Sequence, residues 1–394
     1  MLQNSDTVIS PWLVWIYPVD ILSAFNAAPR LEITKEMRRL GWKIDLVAAG
    51  PPGKHALEGV EILCFSRPDV YLIRQMIFHL HVIQYILQNW DSINVILFTE
   101  ISTLWIMPLR LLRIFRKKHP LFVVDIRTVP MERVDKATLK DKLRGQLSLA
   151  MSRLANWLAD GQTAITQRMA DLLEIPHEKL WGTWPSGVNV EKFSGTINER
   201  RWPAPEDPII VTYIGTLHYE RNLMALCEAV IKANQEGMNF ELLLYGEGTE
   251  KEDLQAFAGQ YPDVIKVYDS VPHDQVPSVL ASAHVGALPF PDEEKYRVSS
   301  PIKLFEYMGA GMPILATRIV CHTDVIGAGE YVFWAEDADV GGLLDALKQV
   351  WHARSSLPAM GEKSLSAASD WTYKASAGRL DNALQHGFSL YYKG

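Results

Sequence analysis

Residues 299–317 read SSPIKLFEYMGAGMPILAT: a polar pair and a proline, a mostly apolar stretch at helical spacing, a glycine-bearing turn and a short apolar run. Loop, helix, turn and strand are predicted in that order. Ser299 and Ser300 are expected to cap the helix, and Pro301 suits its first turn, where a missing amide hydrogen costs nothing. The open N–H groups of such a terminus bind phosphate without many side-chain cations, and Lys303 adds a charge beside them. One turn on, Glu306 sits among Leu304, Phe305, Tyr307 and Met308. A carboxylate there is costly unless donors meet it. A nucleotide ribose offers two hydroxyl donors, whereas a lysine or a backbone amide would make Glu306 structural. The helix alone favours the structural role.

The same alternation extends in both directions. Apolar runs at 12–17, 43–48, 60–65, 94–98, 121–126 and 163–165 are separated by stretches of helical character such as 33–40, which Gly41 closes. Residues 201–208 (RWPAPEDP) form a polar, proline-bearing linker, after which runs at 209–214, 240–245, 264–267, 284–288, 313–316 and 331–334 restart the pattern. Strands that alternate with helices predict an α/β protein with parallel, doubly wound sheets. The expected division is a Rossmann-like domain at 1–200, a second at 201–371, and a terminal helix within 372–394. That helix either crosses back over the first domain or simply ends the chain. A length of 394 residues suits two domains with separate cores, and two domains imply a cleft.

Composition narrows the function classes. With 48% hydrophobic and 22% charged residues the chain is globular, and disorder is excluded. Cys64, Cys227 and Cys321 are widely separated, which points to a reducing compartment and no structural zinc. Residues 1–10 hold no basic region followed by an apolar core, so a cytoplasmic location is expected. The net charge of −7 argues against nonspecific nucleic-acid binding. It conceals an asymmetry: residues 1–200 carry 24 Lys+Arg against 20 Asp+Glu (+4), which leaves 15 against 26 (−11) for the rest. A basic first half suits an anionic membrane surface or a lipid phosphate. Within it, residues 104–118 mix Leu104, Trp105, Ile106, Leu109, Leu112 and Phe115 with Arg110, Arg113, Arg116, Lys117 and Lys118. This segment is too short to span a bilayer and reads either as a basic interfacial helix or as an ordinary helix with a solvated end.

The 299–317 stretch resembles the nucleotide-sugar-binding segment of retaining glycosyltransferases of the GT-B fold, family 4, whose members often carry SPxKxxEYMxxGxP. The resemblance implies that Glu306 binds ribose hydroxyls and that backbone amides within the segment Ser299 to Lys303, which includes Ser300 and Pro301, hold a diphosphate. It overrides the structural preference for Glu306. A second glutamate, common eight positions earlier in that family, is Val298 here; Asp292, Glu293 and Glu294 lie near enough in sequence to substitute. In residues 213–223 (YIGTLHYERNL), Gly215 lets backbone approach a ligand, and the family's two basic positions fall on Thr216 and Arg221, so one cation is lost. Gly246 opens the Gly-x-Gly turn of YGEG at 245–248, and 272–276 is the stretch that meets the nucleobase in such enzymes. Residues 184–193 (WPSGVNVEKF) resemble the element at the end of the first lobe.

In the first domain, Asp125 and Arg127 close the strand 121–126, at the carboxyl end where open α/β sheets place ligands. Two roles stand for them: a direct place in the active site or a structural pair. Many relatives have histidine near the place of Arg127. The implied chemistry is front-face transfer of a sugar from a nucleotide diphosphate to a saccharide or lipid-linked acceptor. Arg221, Lys303 and the helix amides would stabilise the departing diphosphate, so neither a metal nor another cofactor is expected. A noncatalytic subunit of the same fold and a sugar-nucleotide epimerase are the alternatives. Phosphate-loop, nucleophile-elbow and HExxH motifs are missing, and His79 and His81 read as core residues.

Overall fold

The computed structural model describes residues 10–22, 27–66, 70–129, 139–193 and 195–391. The chain separates into two compact units: Met1–Val129 with Lys142–Pro185 and Ser376–Gly394, and Pro130–Asp141 with Ser186–Ala375.

The first unit is built on eight strands: β1 (Trp12–Asp20), β2 (Lys43–Ala49), β3 (Gly53–Leu57), β4 (Val60–Phe65), β5 (Val95–Phe98), β6 (Leu121–Ile126), β7 (Gly161–Ala164) and β8 (Leu180–Thr183). Their order is β3-β4-β2-β1-β5-β6-β7-β8, and every pair is parallel except β3 with β4. All six residues of β6 are buried, as expected of a strand covered on both faces. The sheet reverses direction between β1 and β5, the topological switch at which α/β sheets hold ligands. Strands β3 and β8 were not expected. The first lacks an apolar run, and the second carries Gly182, where an added Cβ would lie 3.0 Å from that of Ala383.

The terminal helix Tyr373–Tyr391 joins this unit from Ser376 onward. Trp42 Nε1 donates to Asp381 Oδ1 at 2.7 Å, and its ring stacks on Phe388 with centroids 5.7 Å apart. Gly387 lies over Trp181, so close that a Cβ would come within 2.3 Å of the indole.

Segment 104–118 is not one amphipathic α-helix. Thr103–Ile106 is a single α-turn, and Met107–Ile114 continues as a 3₁₀ helix with Pro108 in its first turn. Arg110 and Arg113 turn inward to the fully buried carboxylate of Asp160, with Arg113 Nη1 at 2.7 Å from Oδ1. Arg116 pairs with Asp91. Leu104, Leu111, Ile114 and Phe115 remain exposed, Phe115 at 81%. Of the two histidines read as core, only His79 is buried: its Nε2 lies 3.0 Å from Ser102 Oγ, and burial pulls it down to about 4. His81 is exposed.

The second unit carries β9 (Ile209–Ile214), β10 (Phe240–Tyr245), β11 (Ile265–Tyr268), β12 (Val285–Leu288), β13 (Ile314–Thr317) and β14 (Val332–Ala335), all parallel, in the order β11-β10-β9-β12-β13-β14. Its longer segment starts at Ser186, ahead of the linker at 201–208. The reason is packing. Val188 touches the site of Gly309 so closely that a Cβ there would be 2.9 Å away, and Thr196 Oγ1 donates to Ala310 O. Buried Arg200 ties the segment down by donating to the carbonyls of Leu280, Ala283, Ala310 and Gly311 at 2.7–3.1 Å. Those carbonyls close two helices, whose last four acceptors have no partner of their own. Burial lowers the Arg200 guanidinium to about 10, so it is still charged at neutral pH.

Candidate functional site

The helix predicted after Pro301 runs Ile302–Gly309, with Leu304, Phe305, Tyr307 and Met308 buried. Its start differs from expectation. Pro301 is the N-cap residue, with extended ψ of 110°, and no side chain caps the helix. Ser300 Oγ accepts from Ser186 N at 3.0 Å, and Ser299 Oγ donates to Tyr296 O at 2.8 Å. Proline disfavours helical backbone in the residue before it, which keeps Ser300 outside the helix. Neither serine turns back to cap the first turn, where Leu304 N donates to Pro301 O at 3.1 Å.

Glu306 is almost fully buried and ionised. Lys303 Nζ lies 2.8 Å from Oε2, and His273 Nε2 lies 3.6 Å from Oε1. Burial pushes this carboxyl up, but the Lys303 ammonium and His273 outweigh it and hold the group at about 2. Lys303, expected as a separate cation at the helix start, is therefore bound to the carboxylate one turn below it. Beyond His273, Nδ1 meets Lys192 Nζ at 2.7 Å. No role of their own was legible in the sequence for Lys192 and His273; the signals were their places in the 184–193 and 272–276 stretches.

The loops after β9 and β10 are joined backbone to backbone. Gly215 N donates to Tyr245 O at 2.9 Å and Leu217 N to Glu247 O at 2.8 Å. A Cβ on Gly246 would sit 1.7 Å from Gly215 O, so the two chains meet only because residue 246 has no side chain. Gly246 thus has a structural reason to be glycine. Thr216, in the place of the lost cation, accepts from Arg221 Nε at 3.2 Å, while the Arg221 guanidinium lies over Phe290 (5.0 Å) and Tyr296 (5.5 Å). Among the described residues no acceptor binds the Arg221 Nη groups, which leaves them for an anion. Asn222, left-handed at φ 60°, holds the loop through Pro289 O at 3.0 Å.

Val298 is buried, and two of its three acidic neighbours are engaged: Asp292 pairs with Arg297 through two bonds of 2.7 and 2.8 Å, and Glu293 with Lys295 at 2.7 Å. Among the described residues no group of three or more His, Cys, Asp or Glu could hold a metal ion.

In the first unit, charged groups gather near the carboxyl ends of β1, β5 and β6. Asp125 is buried and accepts from Thr163 Oγ1 at 2.7 Å and Trp184 Nε1 at 3.0 Å. Burial raises its carboxyl, opposed by the charge of Arg127 and by the other neighbours. The Arg127 guanidinium lies 3.4 Å over the Trp184 ring and donates to Trp184 O at 2.7 Å. Trp184 thus holds both residues, and Arg127 acts on Asp125 through its charge. Two more residues belong here that the sequence did not reveal. Glu100, raised by burial, accepts from Ser148, and Arg30 lies over Tyr17 at 3.5 Å.

Known proteins share this fold and part of this sequence. Residues 208–353 match the family described as Glycosyl transferases group 1. The sucrose-phosphate synthase structure from Thermosynechococcus elongatus superposes with a TM-score of 0.77 over 96% of this chain and 100% of that one, at 13% identity.

The fold is GT-B.

A structure of Anabaena HepE in complex with UDP and glucose has the same fold, with a TM-score of 0.70 and 12% identity over 95% of this chain and 99% of that one. A curated relative, the 2-deoxystreptamine glucosyltransferase of Streptomyces kanamyceticus, is 24% identical over 222 residues, 53% of this chain and 56% of that protein. The chain therefore matches little more than half the length of that relative. Every expected binding residue in the second GT-B unit, from Gly215 to Glu306, lies inside the family match, while Asp125, Arg127 and Lys192 lie outside it.

Proposed function

We propose that this chain is a retaining hexosyltransferase that carries a sugar from a UDP- or GDP-sugar to a saccharide or lipid-linked saccharide. The observation that carries this reading is Glu306, a buried carboxylate kept ionised one turn inside a helix whose first-turn amides no side chain caps. Lys303 already partners one oxygen of this carboxylate, and a nucleotide would add ribose hydroxyls at the other and phosphates at the amides. UDP stands first because the HepE structure of this fold holds it.

In the proposed reaction the anomeric carbon–oxygen bond to the diphosphate breaks as the acceptor oxygen bonds to the same face. The acceptor proton passes to the departing phosphate. Arg221 and the first-turn amides, with the Lys303 charge close by, stabilise the developing negative charge. These groups supply the positive charge themselves, so turnover is expected to persist in chelator. Asp125 and Arg127, with Tyr17, Arg30 and Glu100, are the proposed acceptor side.

The proposed setting is surface polysaccharide or glycolipid synthesis at the cytoplasmic face of a membrane. Leu111, Ile114 and Phe115 are exposed beside Arg116, Lys117 and Lys118, which suits an anionic surface. No helix among the described residues is long and apolar enough to cross a membrane. Cosedimentation with anionic vesicles that Phe115→Ser leaves unchanged would remove this element of the proposal.

Calorimetry with a panel of UDP, GDP and ADP sugars, in chelator, tests the whole reading. One nucleotide should bind, and Glu306→Ala should weaken it by about 2–4 kcal/mol; equal affinity in the folded variant refutes the site. The second reading is a noncatalytic subunit. Buried Val298 favours it, as do the ion pairs that engage Asp292 and Glu293 where a donor-sugar carboxylate would be needed. Turnover of a nucleotide sugar by the purified chain alone eliminates it.

A further inference from the structure

Glu306 carries its two oxygens in different environments. Oε2 is anchored by Lys303 at 2.8 Å, a full charge-assisted bond. Oε1 faces His273 Nε2 at 3.6 Å, too long for a good hydrogen bond and near enough for orientation. An ammonium can only donate, so the 2.7 Å contact from Lys192 Nζ makes His273 Nδ1 the acceptor and puts the ring proton on Nε2, toward Glu306. Lys192 is itself fixed. It sits on the short turn Val190–Phe193, its backbone N donates to Asn189 Oδ1, and Val188 and Phe193 pack at Gly309, the far end of the helix that carries Glu306. The row Lys192, His273, Glu306, Lys303 joins three separate segments of the second unit around one carboxylate.

We propose that His273 and Lys192 are positioning residues for nucleotide recognition. Lys192 fixes the His273 tautomer, and His273 holds Oε1 in place without saturating it, so that this oxygen accepts a ribose hydroxyl while Lys303 keeps the other. The proposal rests on the nucleotide-binding reading of Glu306 and adds which oxygen reads the sugar and what aims it.

The test is calorimetric affinity for UDP and GDP against their 2′-deoxy and 3′-deoxy forms. Wild type should prefer the ribonucleotide by roughly tenfold or more at one hydroxyl, the effect of one hydrogen bond to a charged group. Glu306→Gln should reduce that ratio to near one. His273→Ala should reduce it severalfold, Lys192→Met less so, and His273→Gln, whose amide N–H can stand in for Nε2–H, should restore most of it. A merely structural histidine would weaken ribo and deoxy nucleotides alike and leave the ratio unchanged. If Glu306→Gln collapses the ratio but His273→Ala and Lys192→Met do not, the positioning role is wrong and the nucleotide site stands. Retained discrimination in Glu306→Gln, or no discrimination or no nucleotide binding in wild type, overturns both.

Discussion

Replacing Glu306 by glutamine tests the electrostatics of the site without any ligand. The carboxyl is held at about 2 in the folded protein against an ordinary 4.5. A group whose folded value is depressed contributes stability above its unfolded value and loses it as pH falls through the folded one. The 2.5-unit difference corresponds to roughly 3 kcal/mol at neutral pH, of which about 2 kcal/mol should be lost between pH 6 and pH 3. Glutamine keeps the shape and cannot titrate, so it removes this dependence. Urea unfolding of both proteins at intervals from pH 6 to pH 3, followed by tryptophan fluorescence and far-UV circular dichroism, gives the comparison. At pH 6 wild type should be the more stable, and the gap should narrow by about 2 kcal/mol by pH 3. Parallel curves across that range would show that Glu306 is not held ionised by Lys303 and His273. A change in slope with denaturant would signal that the two units unfold separately, and the second unit's transition is then the one to compare.

Arg221→Met should weaken UDP by about 1.5–3 kcal/mol while leaving uridine unchanged, because the Nη groups are proposed to meet phosphate alone; equal losses for both ligands contradict that placement. Arg200→Met should destabilise the second unit by about 3–5 kcal/mol, since it strips four buried carbonyls of their donor, and an unchanged denaturation midpoint would refute the capping role.

Most of the fold is legible in the chain because parallel strands are buried on both faces and therefore appear as uninterrupted apolar runs such as LFVVDI at 121–126. Edge strand β3 escaped because GKHAL has half-exposed surroundings and no such run. The helix bearing Glu306 was equally legible, and its capping was not: the partner of Ser300 is the backbone of Ser186, which no local pattern can reveal. The same holds for His273 and Lys192, which reach Glu306 only through folding. Charge was misread where it is buried. Arg110 and Arg113 looked like the solvated end of a surface helix, yet both belong to Asp160, whose position at the entrance to β7 only the sheet discloses.

The terminal helix bears on how the protein is made. Trp42 and Trp181 are covered by Phe388 and Gly387, residues synthesised after the whole of the second unit, which is almost continuous in sequence. A nascent chain emerging from the ribosome can therefore complete the second unit first, and the first unit must wait, with those indoles uncovered, until the helix Tyr373–Tyr391 has been made. Expression of residues 1–185 alone should yield an aggregation-prone product that a separately supplied 373–391 peptide helps to keep soluble.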